Sequence, residues 1–119
     1  MNTDTLTNAS QELIQQAANL ALELHHTTLY PIHALAAASD NSFCKSFFQA
    51  TNIPIEELKR LINQETNQLA RTQHKPDQVS LSVDMQKFLE ICKKEASNLK
   101  DTYISLEHFL LGFASRSEE

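Results

Sequence analysis

The sequence repeats itself at a spacing of 75 residues, and this repeat constrains the fold more than any other feature. When the chain is shifted by 75 positions, Leu6 coincides with Leu81, and the register continues without a gap as far as His33 on His108 and beyond. Further identical or conservative pairs are Gln11 with Gln86, Leu13 with Phe88, Ile14 with Leu89, Ala21 with Ala96, Leu24 with Leu99, Thr27 with Thr102, Leu29 with Ile104 and Leu35 with Leu110. Such a duplication predicts two similar units that bury their apolar faces against each other.

Each copy of the repeat is predicted to open with an amphipathic helix. Thr7 and Ser82 are natural N-caps, because a side-chain hydroxyl accepts a hydrogen bond from the exposed amides of the first turn. The apolar residues that follow recur at three- and four-residue steps, as on one buried helix face. They are Leu13, Ala17, Leu20, Ala21 and Leu24 in the first copy, and Met85, Phe88, Leu89, Cys92, Ala96 and Leu99 in the second. A second helix follows in each copy, with Pro31 in its first turn or Ser105 as its cap.

Two further helical patterns, at 42–51 and from Pro54 onward, lie between the copies, and the polar segment 70–80 lacks periodicity. A single glycine and the absence of period-two β-branched runs argue against hairpins. The sequence therefore predicts an all-α fold, a compact helical bundle of two pseudo-repeated four-helix-type units. The polar carboxy end is expected to be frayed or truncated, and if it is truncated, the second unit lacks its own counterparts of the helices at 42–69. The predicted boundaries are 1–115 for the domain, 6–69 for repeat one, 70–80 for the linker, 81–115 for repeat two and 116–119 for a polar tail leading to a further linker.

Composition excludes several classes of function. The net charge is −5 and the basic residues are scattered, so no positive stripe is available to follow a phosphate backbone. One glycine cannot build a phosphate-binding loop or a nucleophile elbow. No apolar run approaches the roughly 20 residues of a membrane span, and no signal-peptide pattern opens the chain. We therefore expect a cytoplasmic domain with neither a nucleic-acid nor a membrane partner.

The cysteines and histidines predict neither a catalytic nor a metal site. Cys44 and Cys92 lie on predicted helix faces, where a small buried thiol is the expected role. His33 and His108 are equivalent in the repeat and lie near apolar faces, which predicts half-buried rings with satisfied hydrogen bonds. A zinc site would need three or four converging ligands at a recognisable local spacing, and the sequence contains none.

Four stretches of the chain together resemble the Clp amino-terminal (double Clp repeat) domain of Hsp100-type AAA+ unfoldases. These stretches are LTNASQELIQQAANLALEL, YPIHALAAA, TNIPIEELKRLINQETNQL and ISLEHFLLGF, at 6–24, 30–38, 51–69 and 104–113. The long polar linker before VSLS makes the chain most similar to the ClpB branch, the disaggregases. The resemblance covers nearly the whole chain, and its combination of motifs is more specific than any one of them.

The resemblance implies a helical pseudo-dimer attached by a flexible linker to two ATPase rings. In that family the domain contacts unfolded or aggregated polypeptides and helps to pass them to the pore of the rings. The parent protein is then expected to be a homohexamer that uses ATP and magnesium and cooperates with an Hsp70 system. This domain by itself is expected to bind no cofactor or metal and to contain no catalytic residue.

The resemblance also assigns a polar lip, formed by Thr7, Asp101 and Glu107, that would hold backbone amides of an extended client chain. The alternative interpretation of these residues is structural, with Thr7 as an N-cap and the two carboxylates as solvated capping groups.

A shallow apolar groove between the halves is implied as well. Ile91 keeps the apolar character of this groove, whereas Glu95 and His108 stand at positions where relatives often have leucine. The sequence therefore leaves the depth and polarity of the groove open.

Two alternatives to a client-binding disaggregase domain are considered. The first is a ClpC- or ClpA-type domain that docks an adaptor or a phosphoarginine-marked protein. In that branch the phosphoarginine sites use a Glu-His pair in each half, and here Glu107-His108 is matched by Ile32-His33, which favours ClpB. The second is a stand-alone scaffold of a Clp protease, which a downstream Gly-x-x-x-x-Gly-Lys-Ser/Thr motif would exclude.

Overall fold

The computed structural model describes residues 5–117, and its side chains as far as residue 114, as six helices and one short parallel sheet. The elements are α1 (Asn8–Glu23), β1 (Thr28–Leu29), α2 (Pro31–Ser39), α3 (Ser42–Ala50), α4 (Ile55–Asn67), β2 (Ser80–Leu81), α5 (Val83–Asn98) and α6 (Leu106–Ser117). The predicted all-α class is confirmed, with two strands that are too short to leave a period-two pattern. The first unit has four helices, and the described part of the second has two.

The helix starts follow the predicted capping chemistry. The Thr7 hydroxyl accepts a hydrogen bond from Ser10 N at 3.2 Å, and the Ser82 hydroxyl accepts one from Met85 N at 2.8 Å. Pro31 is the first residue of α2, where its missing N–H has no helical partner to lose. Local sequence therefore determines where α1, α2 and α5 begin.

The first helix of each half ends in the same left-handed turn. His25 and Lys100 adopt φ angles of 61° and 60°, a conformation that usually calls for glycine. The amide of the residue after each donates a hydrogen bond of 2.8 Å to a carbonyl in the last turn of the helix. This is the hydrogen-bond pattern of a Schellman motif. These closing bonds run from His26 N to Ala21 O and from Asp101 N to Ala96 O.

The two halves exchange short extended segments. Leu29 in β1 pairs with Leu81 in β2, and an isolated parallel bridge joins Leu6 to Ile104. Leu6 and Leu81 are equivalent in the repeat, as are Leu29 and Ile104, so each pairing is the counterpart of the other. The duplication seen in the sequence therefore corresponds to an internal two-fold pseudo-symmetry, which is called the pseudo-dyad below.

One apolar core lies between the helices of both halves. The largest completely buried side chains in it are Leu13, Leu29, Met85, Phe88 and Phe109. The predicted buried faces of α1 and α5 are confirmed over most of their length, but not at the helix ends. Leu99 is 49% exposed, because it is the C-cap of α5 and no longer follows the helical stripe.

The segment 68–79 connects the halves without helix or strand. Thr72 fastens it to the end of α1, since its amide and hydroxyl both donate to the His25 carbonyl, at 2.8 and 3.2 Å. The proposed linker thus has a defined contact with the first unit. Helix α6 extends to Ser117, two residues into the proposed tail, whose residues 118 and 119 lie outside the described part of the chain.

Candidate functional site

The pairing of Leu6 with Ile104 brings the start of α1 next to the loop before α6. Thr7 N donates to Ile104 O at 3.0 Å, and Ile104 N donates to Thr5 O at 2.7 Å. Ile104 lies between Asp101 and Glu107 in the loop and first turn that lead into α6. Residues from opposite ends of the chain are therefore adjacent at one seam, which the sequence spacing does not show.

Thr7 acts as a structural cap in this arrangement. Its hydroxyl accepts from Ser10 N and donates to Ser10 Oγ at 2.9 Å, while its carbonyl accepts from Gln11 N. A hydroxyl has one donor and two acceptor lone pairs, so one acceptor position is left for a bound chain. The structural and functional interpretations of Thr7 are compatible.

Asp101 is held in place by a buried histidine. His108 Nδ1 accepts from Ser105 N at 2.8 Å, so this nitrogen carries no proton in that geometry. The proton is then on Nε2, which donates to Asp101 Oδ2 at 2.9 Å. Since the Asp101 side chain is 49% exposed, one of its oxygens is anchored while the carboxylate still faces solvent. His108 is only 1% exposed, so the structure does not place its ring on an open groove surface, and its Nε2 contacts Asp101.

The other candidate residues lie on α5 and in the first turn of α6. Glu107 is exposed in the first turn of α6, where the helix dipole stabilises its negative charge. Ile91 and Glu95 lie one turn apart on α5 and are both partly exposed. Glu95 O accepts from Leu99 N in the last turn of α5, just before the loop that carries Asp101.

The first half contains a different partner at the position equivalent to Asp101. His33 Nδ1 accepts from Tyr30 N at 2.9 Å, as His108 does from Ser105, but its Nε2 lies 2.8 Å from His26 Nδ1. His26 Nε2 is buried without a hydrogen-bond partner in the described part of the chain. Burial, followed by repulsion from His26, lowers the pKa of His33 to about 4. Burial, followed by the charge of Arg71, also lowers the pKa of His26.

The prediction of half-buried rings for His33 and His108 is wrong, since both are completely buried. Each belongs to a short polar connection from the second helix of its half back to the end of the first, and this is why an apolar environment can accommodate it. The prediction that Cys44 and Cys92 are buried thiols is confirmed. Burial raises the pKa of the Cys44 thiol to about 11 and, together with Glu95, that of Cys92 to about 12.

Sequence reasoning missed an open cleft of about 410 Å³. It lies between α2, the end of α4, the start of α5 and α6, and its lining includes Ile32, Leu35 and Phe113 with Glu65 and Asp84. Within residues 5–117, acidic, histidine and cysteine side chains form no cluster of three or more suited to a metal ion. None of the described helices combines the length and apolarity needed to cross a membrane.

Comparison with known sequences also identifies a Clp repeat N-terminal domain. The family model of the Clp repeat (R) N-terminal domain matches residues 5–119. The chaperone protein ClpB of Bacillus cereus strain ATCC 14579 is 31% identical over 120 residues, and ClpB of Rhodopirellula baltica is 29% identical over 113. The matches cover 96% and 93% of this chain, but only 14% and 13% of the two relatives.

Solved structures show the same fold. The Hsp104 N-terminal domain from Candida albicans has a TM-score of 0.81 at 23% identity, over 90% of this chain and 71% of that one. The ClpV N-domain from Vibrio cholerae has a TM-score of 0.81 at 19% identity, over 97% of this chain and 69% of that one. A ClpV N-domain in complex with a VipB peptide has a TM-score of 0.78 at 18% identity, covering 97% and 71%.

Proposed function

The chain belongs to the Clp repeat N-terminal domain family, and we propose that it is the amino-terminal substrate-binding domain of a ClpB-type ATP-dependent disaggregase. In this role it contacts unfolded or aggregated polypeptides in the cytoplasm and passes them to ATPase rings elsewhere in the same protein. The rings, and not this non-catalytic domain, bind ATP and magnesium. The parent protein is a homohexamer that works with an Hsp70 system.

The observation that supports this proposal is the backbone pairing of Thr5 and Thr7 with Ile104, which puts the start of α1 beside the segment between Asp101 and Glu107. The bonds from Thr7 to Ile104 and from His108 to Asp101 fix the lip from two sides. Its exposed carboxylates can accept hydrogen bonds from the backbone N–H groups of an extended chain. Backbone groups are common to all sequences, so binding of this kind is weak and tolerant, which suits a client that must be released into a pore.

Docking of one specific adaptor segment is the second candidate. Its support is the ClpV N-domain of the same fold, which has been solved with a VipB peptide. Glu107-His108 also keeps one of the two Glu-His pairs expected of a phosphoarginine reader, while Ile32-His33 lacks the other. A selective partner, unlike an unfolded client, should bind in one register and tolerate few changes of sequence.

An amide chemical-shift titration with a permanently unfolded polypeptide, reduced and carboxymethylated, tests the proposal directly. Saturable shifts are expected around Thr7, Ile91 and the segment 101–108. The absence of saturable shifts at high polypeptide concentration would exclude direct client binding and favour adaptor docking.

The repeat supplies a matched control for this experiment. Thr7→Ala and Ser82→Ala each remove an N-cap and should each lower the free energy of unfolding by about 1 kcal/mol. Only Thr7→Ala should also weaken polypeptide binding, since Ser82 lies at the pseudo-symmetric position outside the lip. Asp101→Asn and Glu107→Gln should weaken binding without the loss of a cap. Equal binding by the Thr7 and Ser82 variants would contradict a lip function for Thr7.

A further inference from the structure

The segment 68–79, called the strap here, is fastened to the end of α1 at two points. At the first, Thr72 N donates to His25 O at 2.8 Å, and the His25 ring donates from Nδ1 to Thr72 O at 3.1 Å. At the second, Lys75 forms an ion pair with Glu23. Hydrogen bonds and ion pairs at the surface contribute little stability, so the strap can open while the helices stay folded.

A buried pair of histidines begins one residue after the first fastening point. Since His33 Nδ1 accepts from Tyr30 N, the proton of that ring is on Nε2 and is donated to His26 Nδ1. The proton of His26 is therefore on its own Nε2, which is buried without an acceptor in the described part of the chain. Every ring nitrogen of the neutral pair thus either carries a proton or already accepts a hydrogen bond.

A further proton has no place in this arrangement. On His33 Nδ1 it would face the Tyr30 N–H across 2.9 Å, and on His26 Nδ1 it would face the Nε2 proton of His33 across 2.8 Å. Protonation therefore breaks one of the two hydrogen bonds, whichever nitrogen takes the proton. The His25 ring differs, because its Nδ1 already donates to Thr72 O and a proton on its Nε2 leaves that bond intact.

The charges around the pair also oppose protonation. The strap contributes Arg71, whose positive charge acts on His26. Helix α2 carries no charged or titratable side chain other than His33, and Glu23 at the end of α1 is paired with Lys75 of the strap. Burial, followed by repulsion within the pair, lowers the pKa of His33 to about 4. A protonated pair would be stabilised by access to water and by distance from Arg71, and release of the strap provides both.

We propose that the strap is a pH-sensitive switch: protonation of the His26–His33 pair detaches residues 70–75 from the end of α1 while the helices stay folded. His33 is fixed in the first turn of α2, whereas His26 belongs to the loop to which the strap is tied, so His26 is the ring that turns outward. Because the closed arrangement excludes the added proton, the strap is closed above pH 6.5 and opens progressively below it. The switch uses none of the lip residues and does not depend on the proposed client binding.

Hydrogen exchange of the Thr72 amide, followed by NMR, measures the opening of the strap. Its protection factor, corrected for the intrinsic exchange rate at each pH, should fall about 25-fold between pH 7.5 and pH 5. The reason is that an exposed pair binds a proton near pH 6.5 and the closed pair near pH 4. Low concentrations of urea should leave this exchange unchanged, since local opening exposes little surface. The buried Phe88 in α5 supplies the reference amide for global unfolding, whose exchange rises steeply with urea.

Variants of the pair and of the strap separate the cause from other titrations. The double variant His26→Asn/His33→Asn should reduce the change in Thr72 protection to less than about threefold. The matched control His74→Asn removes an exposed histidine from the strap itself and should behave as the parent does. Arg71→Gln removes the charge that acts on His26 and should make the fall about two- to threefold smaller.

The coupling between the strap and the pair has to be reciprocal, which allows a second measurement. Thr72→Pro removes the amide that ties the strap to His25 O. The ring resonances of His33 should then titrate closer to pH 6.5 than in the parent, where the pKa is about 4.

Three results would overturn the proposal. They are an equal pH dependence of Thr72 protection in the double variant, a urea dependence of Thr72 exchange equal to that of Phe88, and a His33 titration that Thr72→Pro leaves unchanged. If the double variant does not fold, Arg71→Gln and Thr72→Pro supply the comparison. Binding of the unfolded polypeptide is measured at pH 7.5, where the strap is closed, so that a failure of the lip and a failure of the switch are distinguishable.

Discussion

In each half of the molecule a histidine in the first turn of the second helix reaches back to the loop that ends the first helix. The backbone of the two halves is the same at this point, and both rings accept a hydrogen bond from the amide three residues earlier. The partners on Nε2 differ, since His33 meets the buried ring of His26 and His108 meets the half-exposed carboxylate of Asp101. The first half therefore buries a pair of histidines, while the second half holds a carboxylate that is half exposed to solvent.

The packing between the first two helices of each half shows a second difference. In the second half, Gly112 on α6 faces Cys92 and Phe88 on α5. The repeat-equivalent residues of the first half are Ala37, Ala17 and Leu13. Larger side chains on α5 are therefore matched by the loss of one methyl group on α6, so that the total volume is adjusted locally. The comparison shows that the two copies share their backbone arrangement, while the side chains that pack against each other or face solvent differ between the halves.

The largest expected effect that distinguishes the halves is a loss of stability in acid. The folded pKa of His33, about 4, lies below the ordinary value of 6.5, so the unfolded chain binds a proton more readily than the folded one. The stability gained by keeping His33 neutral in the folded state is fully present above pH 6.5. It should fall by about 2 kcal/mol by pH 5 and by about 3 kcal/mol by pH 4. Urea unfolding at a series of pH values measures this loss.

Removing the pair of histidines provides the control for this measurement. The double variant His26→Asn/His33→Asn should be less stable at neutral pH, because it loses a buried hydrogen-bonded connection. Its stability should nevertheless fall less steeply between pH 6.5 and pH 4 than that of the parent. An unchanged slope in this variant would show that other groups cause the acid sensitivity.

A smaller effect is expected from Gly112→Ala. A Cβ atom at Gly112 would lie 2.7 Å from Cys92 Sγ and 3.0 Å from Phe88 Cε1, which forces α5 and α6 apart. The overpacking should outweigh the better helix propensity of alanine, with a net loss of about 1–2 kcal/mol in the free energy of unfolding. Adding Cys92→Ala recreates the Ala17 and Ala37 pair of the first half, and should recover part of this loss. A failure to recover would place the strain on Phe88.

The smallest effect concerns the two left-handed turns. Lys100→Gly should stabilise the domain by about 0.5–1 kcal/mol, because glycine adopts a φ angle of 60° without strain. His25→Gly should give a smaller gain or none, since the His25 ring lies within hydrogen-bonding distance of Thr72 O, at 3.1 Å, and this contact would be lost. Thermal unfolding of both variants makes the comparison. A larger gain for His25→Gly would show that its contact with the linker contributes nothing.

Much of this fold could be predicted from local patterns. The caps at Thr7 and Ser82, the position of Pro31 and the apolar stripes of α1 and α5 depend on residues a few positions apart, and the structure confirms them. The prediction that Leu99 lies on a buried stripe is wrong, because periodicity does not show where a helix stops. The members of the polar lip came from family resemblance, and no pattern within the chain placed Thr7 beside Ile104.

The sequence by itself determined where the helices occur, the duplication and the burial of both cysteines. These depend on capping, periodicity and the cost of exposing apolar surface, which act locally or on whole helix faces. Only the tertiary structure decided that the halves exchange their short strands and that His33 and His108 have different partners. Such contacts join residues that are tens of positions apart. Their energies depend on which surfaces meet, and a linear pattern does not record that.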